Sequence, residues 1–116
     1  MSTVPYPTAD ERKRQLEGEL PGLVSKLVSD VGASKVVLFG SLAEGRVGPD
    51  SDIDLFVIQD THLDYFARID QALRRLSPRV ALDLVIFTPE EVERALGAPD
   101  GSVATILREG RTLYEA

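Results

Sequence analysis

The chain has 116 residues, 43% apolar and 28% charged, with a formal net charge of −6 and no cysteine; this suits one globular domain and excludes disulfides, thiolate metal sites and cysteine nucleophiles. No apolar stretch approaches the ~18 residues of a membrane span, and MSTVPYPTAD lacks the basic-then-apolar pattern of a signal peptide, so the expected location is cytoplasmic with no membrane partner. Residues 1–35 balance five acids with five bases, whereas residues 36–116 carry 14 acids and eight bases; that acidity argues against nucleic acid as a partner and suits a cation site or a plain soluble surface.

Thr8-Ala9-Asp10-Glu11 has the spacing of a capping box and predicts a helix from about residue 9, with residues 1–8 a flexible N-terminus. Leu20-Pro21-Gly22 predicts a break or kink, after which Leu23, Leu27, Val28 and Val31 recur at helical spacing up to Gly32. Val36 to Phe39 is a short continuous apolar run of the kind central strands use. Ile53 to Ile58 reads as a second strand. Thr61 and Asp64 mark a helix start; Leu63, Phe66, Ile69, Leu73 and Leu76 form its expected buried face, and Pro78 stops it. Val80 to Phe87 predicts a third strand. Thr88-Pro89-Glu90-Glu91 combines a cap, a proline at the first helical position and an acid at the third, and opens a helix ending near Gly97. A short helix from about Ser102 to Gly110 and an edge strand at Thr112 to Tyr114 complete the chain. The order predicts an α+β domain: one three- to four-stranded mixed sheet with helices packed on it.

Asp52 and Asp54 interrupt this pattern. In a strand, side chains two apart share a face, so both project with Phe56 and Ile58 while Ile53, Leu55 and Val57 turn to the core. Two ionised carboxylates so close repel one another, and a hard divalent cation offsets that repulsion. The plainer alternative is a strand start with both acids in water. Asp83 lies between Ala81-Leu82 and Leu84-Val85-Ile86, where a lone charge rarely goes unpaired. Its partner is either the Asp52–Asp54 pair, if the two strands are neighbours, or an arginine such as Arg79 or Arg111. Three carboxylates on adjacent strands suit a two-metal centre. Gly40-Ser41 follows the first strand directly. The glycine allows close approach of a ligand, and the serine offers a hydroxyl to a phosphate. Its plainer reading is a helix cap. A phosphate grip beside a cation site is what a nucleoside triphosphate with Mg²⁺ requires.

Gly40-Ser41, ten residues and then Asp52-x-Asp54 resemble the signature of the nucleotidyltransferase superfamily to which polymerase beta belongs. Asp83 resembles its third carboxylate, and the short chain resembles the minimal nucleotidyltransferases from about Leu23 to Glu115. The resemblance implies the polymerase beta-like nucleotidyltransferase fold. It implies that Asp52, Asp54 and Asp83 are catalytic and hold two Mg²⁺ ions, and that Gly40 and Ser41 position the triphosphate. The implied reaction transfers a nucleoside monophosphate, AMP from ATP, to a hydroxyl with release of pyrophosphate. It also implies a co-encoded HEPN-type toxin as partner, with a tyrosine of that toxin as acceptor and this chain as the antitoxin. The sequence departs from the family at Glu44 and Leu42, where members commonly carry basic residues; Arg46, as a nucleotide-binding residue, or Lys35 would have to supply that charge.

Two other functions fit the same residues. One is nucleotidylation of a small hydroxylated molecule such as an aminoglycoside, with a homo-oligomer building the acceptor pocket. The other is a non-catalytic module that neutralises its partner by occlusion, a reading that Glu44 favours. His62, the only histidine, is expected on the surface. Arg68, Arg74, Arg75 and Arg79 are expected to form a solvated helix face.

Overall fold

The computed structural model describes residues 8–98 and 101–116. The expected flexible segment 1–8 thus lies outside the described residues except for Thr8, which caps the first helix. Helix α1 spans Ala9–Lys26 and runs on into one π-helical turn, Leu27–Val31. There follow β1 (Ala33–Phe39), α2 (Gly40–Glu44), β2 (Ile53–Gln59), α3 (Tyr65–Leu76), β3 (Leu82–Phe87), α4 (Pro89–Leu96), α5 (Ser102–Glu109) and β4 (Arg111–Glu115). The strand order is β3-β2-β1-β4. β1 is antiparallel to β2 and to β4, whereas β2 and β3, joined through α3, run parallel. This is the mixed α+β sheet that the sequence predicts.

Local chemistry sets the helix boundaries. Both predicted capping boxes form: the Thr8 hydroxyl accepts from Glu11 N–H, and the Thr88 hydroxyl from Glu91 N–H, with each glutamate reaching back to the cap. Pro21 does not break α1. Its ring costs one intrahelical hydrogen bond on the exposed side, while Leu16, Leu20, Leu23 and Leu27 remain buried on the other and hold the helix straight through. The helix stops at Gly32, whose φ of 78° is left-handed and free of strain only for glycine.

The alternation of β2 serves two cores. Ile53, Leu55 and Val57 pack with Val36, Leu38, Leu84 and Ile86 against α1 and α3. Phe56 turns to the other face, where it joins Val37, Val92 and Val103 under α4 and α5. Both faces are therefore covered, and the aspartates stand at one end of the α4–α5 face rather than on an open one.

Two expectations for α3 fail. Phe66 is 81% exposed and Leu63, which precedes the helix, 37%, because the helix turns Arg68, Ala72 and Leu76 inward, with Ile69 and Leu73 half-buried, and leaves Phe66 on its outer side. Arg68 is not on a solvated face. It is 6% exposed and clamps Glu91 of α4 through Nη1–Oε1 at 2.7 Å and Nη2–Oε2 at 3.1 Å. It also donates to the carbonyls of Leu63 and Ile86. This bidentate pair ties α3, β3 and α4 together at the end of the sheet away from the aspartates.

Hydrogen bonds from Arg68 and from the Thr88 backbone hold the Glu91 carboxyl down, from an ordinary 4.5 to about 2. A depressed carboxyl stabilises the fold fully above its unfolded pKa and loses that contribution as pH falls through the folded one. Stability is therefore expected to fall from about pH 4.5 towards pH 2. Urea unfolding across that window checks this: Glu91→Gln should be less stable at pH 7 and lose less on acidification. Parallel pH curves for the two proteins would contradict it.

Candidate active site

Gly40 is the point on which the site is built. It follows β1 directly, opens α2, and has φ 78°. A β-carbon placed on it would sit 2.9 Å from Asp54 Cγ and nearer still to Oδ2. The backbone of Gly40 and the carboxylate of Asp54 thus occupy adjoining space that no side chain can share.

The sheet register explains why they meet. Asp54 is the second residue of β2 and is paired across the antiparallel ladder with Phe39. On its other side the parallel ladder pairs it with Asp83, the second residue of β3. Paired residues point to the same face, so Asp54 lies between the Gly40 turn and the Asp83 carboxylate. Asp52 sits in the loop just before β2 and is half-buried, as is Asp54. Asp83, by contrast, is exposed. The apolar run around it does not enclose it, because β3 begins only at Leu82 and is an edge strand. No ion pair to Asp83 forms among the described residues, so Arg79 and Arg111 are not its partners.

The electrostatics follow. Burial, then the charge of Asp52, then that of Asp83, raise the Asp54 carboxyl from an ordinary 3.8 to about 6. The three acids are neighbours but not a closed cage: among the described residues no three His, Asp or Glu side chains are gathered tightly enough to hold a metal ion by themselves. Mg²⁺ commonly takes only one or two protein carboxylates, with waters and substrate phosphates completing its octahedron, so Asp52 and Asp54 are of the residue type that would hold it.

Ser41 is not a helix cap. The cap position of α2 is Phe39, without a side-chain bond. Ser41 lies inside the turn, and its hydroxyl donates to Ser51 Oγ at 3.2 Å. Ser51 in turn accepts from Gly48 N–H at 2.8 Å. Sequence reading missed Ser51, although it directly precedes Asp52. It ties the Gly40 turn to the loop that delivers the aspartates. Arg46 pairs with Glu44 at 2.6 Å, which neutralises the unusual acid in place. Lys35 is bound to Glu115 at the far end of β1 and supplies no charge here.

Between α2 and α5 lies a cleft of about 260 Å³, with Gly40 in its lining. None of the three aspartates lines this cleft, nor the larger surface grooves of about 430 Å³ along α3 and about 420 Å³ between α1 and β4; the cleft meets the site only through Gly40.

With this geometry in view, the comparison with known families is decisive. The model of the nucleotidyltransferase domain family matches residues 20–115. The chain belongs to this family. A protein of Methanocaldococcus jannaschii, provisionally named a protein adenylyltransferase, is 30% identical over 80 residues, 69% of this chain and 77% of that one. The crystal structure of a provisionally named nucleotidyltransferase from Sulfolobus solfataricus superposes with a TM-score of 0.60 at 22% identity, covering 80% of this chain and 85% of that one. It shares the fold. The protein is accordingly a minimal nucleotidyltransferase, and no helix among its described residues is long and apolar enough to cross a membrane.

Two substitutions probe the contact that organises this nucleotidyltransferase site. Gly40→Ala adds a methyl where Asp54 lies and strains a left-handed backbone, so it should cost about 2–3 kcal/mol in urea unfolding; a change below about 0.5 kcal/mol would contradict the packing described. Asp54→Asn should act oppositely in metal-free buffer. A carboxyl whose folded pKa is raised opposes folding once ionised, a cost absent below pH 3.8 and complete above about pH 6. The asparagine protein should be more stable by about 1 kcal/mol at pH 8, allowing for partial exposure, and should lose that advantage at pH 4. Lower stability at pH 8 would contradict the crowding.

Proposed function

We propose that this nucleotidyltransferase transfers AMP from ATP to a tyrosine hydroxyl of a separate, co-encoded HEPN-type toxin and thereby acts as its antitoxin. The observation that carries the reading is the placement of Asp54 between the Gly40 turn and Asp83, with Asp52 beside it. It sets a crowd of carboxylates against a close-approach backbone, as a metal–triphosphate needs. The name of the Methanocaldococcus jannaschii relative supports a protein as acceptor.

In this reading Asp52 and Asp54 hold Mg²⁺, and Asp83 contributes to a second ion. The bound ions would supply neutralisation of phosphate charge during the displacement. Gly40 lets the triphosphate approach the backbone, and Ser41 exchanges its hydrogen bond to Ser51 for one to a phosphate oxygen when the nucleotide binds. Arg46, held by Glu44, offsets the acid that replaces the family's usual base. The acceptor oxygen bonds to the α-phosphorus as the bond to the β-phosphate bridging oxygen breaks, and pyrophosphate leaves. Asp83 helps to take the hydroxyl proton in this reading, which its exposure at the sheet edge supports. Its accessibility suits an acceptor carried on another folded surface. The whole domain, residues 1–116, acts as one unit in this reading.

The test is incubation with the co-encoded protein, ATP and Mg²⁺, followed by intact-mass measurement. The partner should gain the mass of one or more AMP units. Asp83→Asn should bind ATP within a few-fold of wild type while abolishing that gain, because in-line transfer depends on charge and positioning at the acceptor. Full neutralisation of the partner by Asp83→Asn without any mass change would favour occlusion instead. A mass gain on an aminoglycoside but not on the protein would move the acceptor to small molecules.

A further inference from the structure

The cleft between α2 and α5 shares a wall with the site. Gly40, which packs against Asp54, also lines this cleft. Its remaining lining divides by chemistry. Phe39, Ala43 and Ile106 are apolar, whereas Glu44, Thr105 and Glu109 carry oxygen acceptors. The Thr105 hydroxyl donates to the Gly101 carbonyl at 3.3 Å, which spends its one proton and leaves only lone pairs for a ligand. Among the described residues no lysine or arginine lines the cleft, so they give it no further phosphate grip. The two carboxylates are balanced by exposed arginines, Glu44 by Arg46 at 2.6 Å and Glu109 by Arg108 at 3.1 Å. They therefore present acceptors beside a triphosphate without adding net charge. The back of the cleft is firm. A β-carbon on Gly110 would lie 2.6 Å from the Ile106 carbonyl and 2.5 Å from Val37 Cγ1, so α5 is seated directly on β1.

We infer that this cleft holds the nucleoside half of the triphosphate, and that its acceptor-only rim selects bases carrying an exocyclic amino group over uracil. The apolar walls suit a flat heterocycle. The volume is below that of pockets for drug-sized ligands. Adenine, cytosine and guanine each bring an exocyclic amino group with two N–H donors to a rim of acceptors, whereas uracil brings only its N3–H, flanked on both sides by carbonyl oxygens that such a rim repels. The inference rests on the nucleotide reading of Gly40, Ser41 and the aspartates.

The experiment separates the two. Calorimetric binding of ATP, CTP, GTP, UTP and inorganic tripolyphosphate, each with Mg²⁺ and without acceptor, is measured for wild type, Ile106→Trp and the double variant Glu44→Gln, Glu109→Gln. Ile106→Trp fills the cleft and should weaken ATP at least about tenfold while leaving tripolyphosphate within about twofold. Wild type should prefer ATP to UTP by about three- to tenfold, the modest discrimination an exposed rim gives. The double variant, altered only at exposed positions and so expected to fold, should bring that ratio below about two. Tripolyphosphate and nucleotides binding as before, with neither variant changing ATP or the ATP to UTP ratio, would overturn the cleft assignment alone. No binding of tripolyphosphate or of any nucleotide to wild type would overturn both it and the phosphate reading.

Discussion

The contact between the Gly40 backbone and the Asp54 carboxylate is the constraint from which the rest of the site follows. β1 must end where Asp54 begins to project, because Phe39 and Asp54 are partners in the ladder. The chain leaving β1 must then cross that carboxylate at close range, which only a residue without a β-carbon allows. The left-handed φ at Gly40 turns the backbone into α2, and the Ser41–Ser51 hydrogen bond holds α2 to the loop that carries Asp52. One missing side chain thus sets the position of the aspartate, the serine and the cleft wall.

This arrangement is unfavourable for the isolated fold. Three carboxylates at one end of β2 and β3 repel one another, and Asp54 is partly buried besides. Stability comes from elsewhere: two apolar layers cover both faces of the sheet, and the Arg68–Glu91 clamp fastens its opposite end. The separation of a strained site from a rigid support is what positioning chemistry requires.

Most of the fold was legible because its signals are local. The two capping boxes, the apolar runs of β1 and β2, and Pro89 at the first turn of α4 each act within a few residues, and each marks its element, although β1 begins at Ala33, three residues before its apolar run. The failures concern partners distant in sequence. Pro21 looked like a break because nothing nearby shows that four leucines hold α1 to the sheet. Phe66 fits the helical period of α3, yet the period does not say that the buried Arg68 takes the inward position of the first turn instead. Arg68 looked like a surface charge because its partner, Glu91, lies 23 residues on and was accounted for as a cap. At the site, the pattern of Gly40, Ser41, Asp52 and Asp54 drew attention to a turn and a strand start that the fold brings into contact. The α2–α5 cleft left no mark in the sequence, since Thr105, Ile106 and Glu109 are unremarkable residues made relevant only by the seating of Gly110 on β1.

Asp54 is held in a crowd of negative charge, which a bound cation would relieve. Carboxyl ¹³C NMR of Asp54 measures this directly. In metal-free protein its titration should centre near pH 6, and addition of Mg²⁺ with ATP should move the midpoint down towards the ordinary carboxylate range. A midpoint near 3.8 without metal, unchanged by Mg²⁺ and ATP, would contradict the account.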